Sequence, residues 1–295
     1  MENAGTNAAK PVAGHLSNKM KWTITVLLAA CFTISYVDRQ IISIMIDPIK
    51  DSLGVSDTQI GLMQGVSFSL FYVVASIPLA WLSDRGNRTA VMTFCVAGWS
   101  CMTMLCGFAA TYWQLFLARI GVAVGEAGLP PAALTNLADM FEARKLALAT
   151  SIFMLAPFIG GGIALIGGGA LYAASESWDV SVPGFGTLEQ WQMVFIIIGA
   201  PGLLVAAMIP LMIRGSGIKQ KRHSQTAFTH LLKFYRINWR IVGVFALSIA
   251  LVIAVMMAYL TWLPAAIMRS KNVDAQTIGT LFGPIYMTAG VLGTL

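Results

Sequence analysis

Four charged residues stand deep in apolar surroundings. Asp38 and Arg39 are adjacent in ISYVDRQII, and Arg119 and Glu126 lie seven residues apart in ARIGVAVGEAGLPPAAL. Seven residues at 100° each return to nearly the same helical face, about 10 Å further along the axis. Two acids and two bases can neutralise one another. A carboxylate beside a guanidinium can hold or release a proton, and the guanidinium can bind an anion instead. At mid-membrane an isolated charge costs at least about 2.5–3.5 kcal/mol, so such residues usually face protein or water and carry function. The plainer reading is that the pairs only lock two helices together. Buried ion pairs are weak evidence for stability, because desolvation offsets the attraction. A titrating or ligand-binding role explains their presence better.

The elements that must carry these residues are membrane helices. Of the 295 residues, 57% are hydrophobic and 11% charged, against about 25% charged in soluble domains. Apolar runs predict spans at 22–46, 58–82, 89–110, 112–138, 145–173, 190–213 and 239–268, with an eighth starting near 275. Each is long enough for about 30 Å of hydrocarbon. The eighth runs into VLGTL without a polar flank, which predicts a longer protein. Lys10, Lys19 and Lys21 before the first span mimic a secretory signal. SYVDRQ stands where a cleavage site would be, and the apolar run exceeds a signal core, so the span reads as a retained helix.

Charge placement gives orientation. Lys10, Lys19 and Lys21 precede the first span, and Asp84, Arg85 and Arg88 follow the second. Arg214, Lys219, Lys221, Arg222, Lys233, Arg236 and Arg240 separate the sixth from the seventh, with no acid among them. The opposite loops carry Asp47, Lys50, Asp51 and Asp57, then Glu176, Asp179 and Glu189. The positive-inside rule puts the N-terminus and the 6–7 segment in the cytoplasm. The net charge of +6 is therefore a topology signal and not a nucleic-acid footprint. The basic 6–7 segment reads as a solvated linker, with docking to anionic lipid as the sharper alternative.

In this orientation Glu126 lies near the midplane, Asp38 somewhat outside it and Arg119 further out. If the first and fourth spans are neighbours, Arg119 can reach Asp38. Both acids are expected to face a water-accessible cavity. Pro130 and Pro131 are expected to bend the fourth helix, because proline removes a donor and crowds the preceding turn.

Other chemistry finds little support. Cys31, Cys95, Cys101 and Cys106 lie in predicted helices without a C-x-x-C pair, which fits buried thiols. His15, His223 and His230 lie outside the spans. No H-E-x-x-H, G-x-S-x-G or phosphate-binding glycine loop is present, so the chain does not read as an enzyme. No pore loop or charge ring points to a channel, and no cofactor or metal is implied.

Several motifs resemble one family. AWLSDRGNRT after the second span is similar to the signature of the major facilitator superfamily, with Asp84, Arg85 and Arg88 in its charged positions and Ala80 and Asn87 where glycines are usual. Arg119 matches the embedded arginine of its fourth helix. APFIGGG resembles its Pro-Gly motif at Pro157, Gly160 and Gly161, departing at Ala156. YVDRQ, DRGNR, ARIGVAVGEAG, NLADMFEARKLALATSIF, WQMVFIIIGAPGLL and TWLP resemble the spinster-like branch, covering nearly the whole chain from residue 35. Sugar-acid and organic-anion symporters share the Asp-Arg pair and the Glu-Ala of the fourth helix, and are the second branch to consider.

The resemblance implies an all-α membrane protein of twelve helices, in two six-helix bundles around a central cavity lined by the first and fourth helix of each. Here that gives a cytoplasmic tail at 1–21, an N-terminal bundle at 22–213, a cytoplasmic linker at 214–238 and the start of a second bundle at 239–295. It implies a secondary active transporter of an amphipathic, lipid-like anion or zwitterion, of lysophospholipid or sphingoid type, working by alternating access. Asp38 and Glu126 would couple protons, and Arg39 and Arg119 would pair with them or bind substrate. Asp84, Arg85 and Arg88 would form a cytoplasmic gate, with Asp139 as the expected partner of Arg88 and Glu142 second. By family analogy Asp84 would contact a helix beyond residue 295. The partners implied are a small amphipathic substrate, protons and membrane lipids, with a monomer in a bacterial inner membrane. The alternatives are a proton-coupled symporter of small organic anions or sugar acids, and a receptor or scaffold that does not transport.

Overall fold

The computed structural model describes residues 16–183, 186–214 and 233–294. Lys10 and His15 of the tail, and Lys219, Lys221, Arg222, His223 and His230 of the linker, lie outside the described residues. Eight long helices occur among those described. Seven are long and apolar enough to cross a membrane: α1 (Asn18–Leu53), α2 (Asp57–Arg85), α3 (Arg88–Cys106), α4 (Tyr112–Met140), α5 (Ala143–Ser175), α6 (Gln190–Arg214) and α7 (Trp239–Lys271). The eighth, α8 (Ala275–Thr294), packs beside them. Between α5 and α6 lies a small antiparallel hairpin, β1 (Ser181–Val182) and β2 (Gly186–Thr187).

Helix starts follow side-chain capping. Ser17 accepts from the Met20 N–H, Asn87 from Ala90 and Thr111 from Gln114. Ser56 and Gln59 form a reciprocal capping box that opens α2. Each cap satisfies a donor left free in the first turn. Asp274 caps α8 through Thr277, whose hydroxyl donation holds the exposed Asp274 carboxyl below the usual carboxylate range.

Two expectations are revised by geometry. The first helix does not stop at 46. After an irregularity at Ile41 it continues to Leu53, so Asp47, Lys50 and Asp51 lie on helix and not in a loop. Pro48 is accommodated inside it, and Gly54, in the left-handed region at φ 64°, ends it. A left-handed residue at that position is what glycine supplies. The break in α4 comes at Ala127–Gly128, just ahead of Pro130 and Pro131. The segment Leu129–Met140 begins with the prolines in its first turn, where a missing N–H costs nothing. The prolines therefore start a helical segment after the break.

Helix α3 packs between α4 and α6, and α1 packs along the second half of α5 and against α6. Close approaches use small residues: a Cβ at Gly160 would collide with the Thr33 carbonyl oxygen of α1. Such small-residue contacts are how membrane helices associate without a hydrophobic driving force between them. Helix α8 lies along α5, and α7 packs on the Ile42–Leu53 half of α1. At that end Arg269 of α7 reaches Asp47 of α1 and Asp57 of α2, at 2.6 and 2.8 Å, and Lys50 holds Asp57 at 2.8 Å. The other half of α7, including Ile241, Val244 and Val252, is exposed.

Candidate functional site

The four membrane charges converge where α1, α2, α3 and α4 meet. Asp38, Arg119 and Glu126 are buried, at 0%, 1% and 1% exposure. Arg39 alone of the four keeps side-chain exposure, at 24%. Its Nε donates to Glu126 Oε2 at 2.5 Å, which joins α1 to α4 as the charges required. Tyr36, Phe68 and Tyr72 surround the Arg39 guanidinium, with ring centres 5.2, 4.9 and 4.7 Å from Cζ. Aromatic faces attract a cation at these distances, so the rings fix Arg39 while leaving it partly open.

The expected Arg119–Asp38 carboxylate pair is absent from the described contacts. Arg119 Nη1 points instead at the Asp38 backbone carbonyl, 3.5 Å away, and Nη2 donates to Gln64 Oε1 at 3.0 Å. The Asp38 carboxylate accepts from the Thr103 hydroxyl of α3 at 2.9 Å. The physical reason is competition: Gln64 and Thr103 each supply a partner nearer to the group they satisfy. Asp38 and Glu126 are also more enclosed than a cavity-facing position requires, with the Thr103 hydroxyl of α3 on Asp38 and Arg39 on Glu126. Asp38 Oδ1, Glu126 Oε1 and Arg119 Nε have no hydrogen-bond partner among the described residues.

The residues expected to form a gate split. Arg88, buried at the start of α3, donates from Nη1 to Asp139 at 2.8 Å and to Asn136 at 3.2 Å, tying α3 to the second segment of α4. Asp139 was the expected partner. Asp84 is 4.0 Å from Arg88 on the adjoining turn. Arg85 lies over the Trp81 ring, 4.5 Å from its centre. Glu142 sits at the N-cap of α5 without a side-chain capping bond.

Sequence reading missed Gln40, Gln64, Thr103 and the three rings. A signal existed for the glutamines, which are uncharged but polar inside apolar runs. Gln40 Nε2 donates to the Leu260 carbonyl of α7 at 2.7 Å, next to the charge cluster. Thr103 gave no signal, since threonine commonly bonds its own helix backbone. The rings fall on one face with the charges, Tyr36 three residues before Arg39 and Phe68 four before Tyr72.

Comparison with known proteins agrees with this architecture. A sequence family described as Major Facilitator Superfamily matches residues 7–295. An "MFS-type efflux pump" of Mycolicibacterium smegmatis is 30% identical over 279 residues, covering 93% of this chain and 61% of that protein. "Protein spinster homolog 1" of Mus musculus is 30% identical over 191 residues, covering 63% of this chain and 36% of that protein. The crystal structure of a bacterial homolog to the human lysosomal transporter Spinster, inward-facing and unoccupied, superposes with TM-score 0.80 at 30% identity, over 93% of this chain and 61% of that one. This chain spans less than two thirds of the length of these relatives. The chain belongs to the Major Facilitator Superfamily and is similar to its spinster proteins.

Proposed function

We propose that this chain forms the N-terminal bundle, interdomain linker and first helices of the second bundle of a secondary active transporter. It moves an amphipathic, lipid-like anion or zwitterion by alternating access, and protons couple the cycle through Asp38 and Glu126. One observation carries the reading: a buried set of membrane charges whose single partly open member, Arg39, is paired to a carboxylate and walled by aromatic rings. A guanidinium in that setting can exchange its carboxylate for the anionic head of a substrate, and the rings suit an apolar body. When Arg39 turns to substrate, Glu126 is left buried without its cation, which favours taking up a proton.

The charge-derived orientation puts the Arg269 end outside. There Arg269 of α7 is bonded to Asp47 of α1 and Asp57 of α2, which supports an outward-closed state. Similarity to an inward-facing spinster structure points the same way. By this reading Asp84, Arg85, Arg88 and Asp139 belong to the cytoplasmic gate that closes in the opposite state.

The test is uptake by the intact protein in proteoliposomes under an imposed pH gradient, with lysophosphatidylcholine and gluconate as alternative probes. Accumulation of the lysophospholipid above passive leak supports the reading. Accumulation of gluconate alone moves the substrate to small organic anions. Saturable binding of either probe without accumulation identifies a receptor or scaffold and overturns transport.

A further inference from the structure

Gln64 stands where helix geometry, both arginines and one buried acid meet. It lies in Leu62–Ser67, a π-helical turn inside α2. Such turns are uncommon and recur at functional positions, because the extra residue re-aims the side chains beside it. Gln64 Oε1 accepts from Arg119 at 3.0 Å, and Gln64 Nε2 donates to the Arg39 carbonyl at 3.2 Å. The amide orientation follows from chemistry: a guanidinium only donates and a carbonyl only accepts, so the reverse orientation would lose both bonds. Phe68, just past the same turn, faces both guanidiniums, 5.1 Å from Arg119 and 4.9 Å from Arg39.

The result is an uneven distribution of partners. Glu126 has a cation, Arg39. Asp38 has one hydroxyl, from Thr103, and its Oδ1 has no hydrogen-bond partner among the described residues. Arg119 is close enough to bond the Asp38 backbone, yet its Nη2 is held by Gln64 and its Nε has no hydrogen-bond partner among the described residues. A charged donor and a charged acceptor are thus buried side by side without bonding to each other. A charge-assisted bond between them would be about twice as strong as a neutral one.

We propose that Gln64 is a positioning residue that holds Arg119 off the Asp38 carboxylate, so that the π-turn of α2 determines whether Asp38 is paired. While Gln64 is engaged, the Asp38 carboxylate has a hydroxyl donor and no guanidinium bond, and it can take a proton. When α2 shifts and Gln64 lets go, Arg119 turns to Asp38 and holds it ionised. This deepens the proposed proton coupling and rests on that reading for its role in transport. The local geometry is independent of it.

The other charged or titratable groups near this pair are Arg39 and Tyr36 on α1, Tyr72 on α2, Cys106 on α3 and Glu126 on α4. They are unchanged in Gln64→Met, and Gln64→Glu adds a single carboxyl whose band is removed by subtracting Asp38→Asn made in the same background, so a change in Asp38 titration reports on position 64. The measurement is the infrared carboxyl band of Asp38 in the detergent-purified intact protein, isolated by subtracting the spectrum of Asp38→Asn and followed against pH. Gln64→Met keeps length and burial but neither accepts nor donates in the same way. It frees Arg119, and the Asp38 midpoint falls by about one pH unit, a tenfold change in ionisation. Gln64→Glu keeps an acceptor on Arg119 and does not lower the midpoint.

An unmoved midpoint in Gln64→Met, or an equal fall in both variants, overturns the proposal. The outcome is separable from that of the transport reading. A lowered midpoint in a protein that accumulates no probe retains the positioning role and removes transport. Unaltered titration in a protein that does accumulate probe removes the positioning role alone.

Discussion

Glu126 is held by a single nitrogen of Arg39, and its second oxygen has no hydrogen-bond partner among the described residues. Glutamine in its place keeps an acceptor for Arg39 and the same volume, but it cannot titrate. Glu126→Gln is therefore expected to fold and to lose pH-driven accumulation of lysophospholipid down to the level of passive leak. Retained pH dependence in that variant would remove Glu126 from coupling and leave Asp38 to carry it. Arg39→Lys keeps the charge and loses the planar fork that pairs with carboxylates and phosphates. It is expected to weaken probe binding by about tenfold, roughly 1.4 kcal/mol, in a titration of the intact protein.

At the scale of elements, Arg88 is wholly buried and joins α3 to the far segment of α4 through Asp139 and Asn136. Removing one partner of such a pair strands the other charge, at a cost of about 3–5 kcal/mol when both are buried. Asp139→Asn leaves the buried Arg88 an amide acceptor in the same place and its bond to Asn136, whereas Arg88→Met takes that guanidinium donor away from the Asp139 carboxylate altogether. Asp139→Asn should lower the melting temperature by less than Arg88→Met, and a larger fall for Asp139→Asn would contradict this assignment.

This pair was legible in the sequence because its residues fall at predicted helix ends, where a surplus of charge is easy to see. The spans were legible because apolar runs of membrane length have few other uses. The Arg119–Asp38 pairing was misjudged for a physical reason. Axial height and helical face give which charges can meet, but not which neutral donor or acceptor reaches them first. Gln64 and Thr103 decide that, and their positions depend on a π-turn and on helix packing that no periodicity encodes.

At the scale of the molecule, the bonds of Arg269 to Asp47 and Asp57 join α7 to α1 and α2. All three side chains are more than a third exposed. Each pair is then screened by solvent and contributes at most about 1 kcal/mol. That is too little to hold the fold together and enough to bias two conformations of similar energy. Arg269→Ala is expected to raise the outward-open population by up to about tenfold, read as longer distances between labels at the outer ends of α1 and α7. Asp84→Ala should move the same distances the opposite way, because it loosens the proposed cytoplasmic gate. Equal shifts in one direction from both variants would show that the two ends do not oppose each other.

Near the start of α8 its seam with α5 is backbone on backbone, while further along Tyr286, Met287 and Phe158 sit in glycine notches. A Cβ at Gly279 would collide with the Leu165 carbonyl oxygen, one at Gly169 would lie 2.7 Å from the Ala275 carbonyl oxygen, and one at Gly283 would lie 3.1 Å from that of Gly162. Large side chains interlock like gear teeth, and two helices meshed that way must unmesh before they move. Bare backbone offers few teeth, so at the Gly169 and Gly279 end these helices meet as the two faces of a plain bearing. Small sliding or tilting would then cost little repacking, as in shear motions between packed helices. One added methyl at Gly279 would put a burr on that bearing. Gly279→Ala should slow exchange between the two states more than it changes their equilibrium populations, and stopped-flow quenching of a probe on α8 would read that rate.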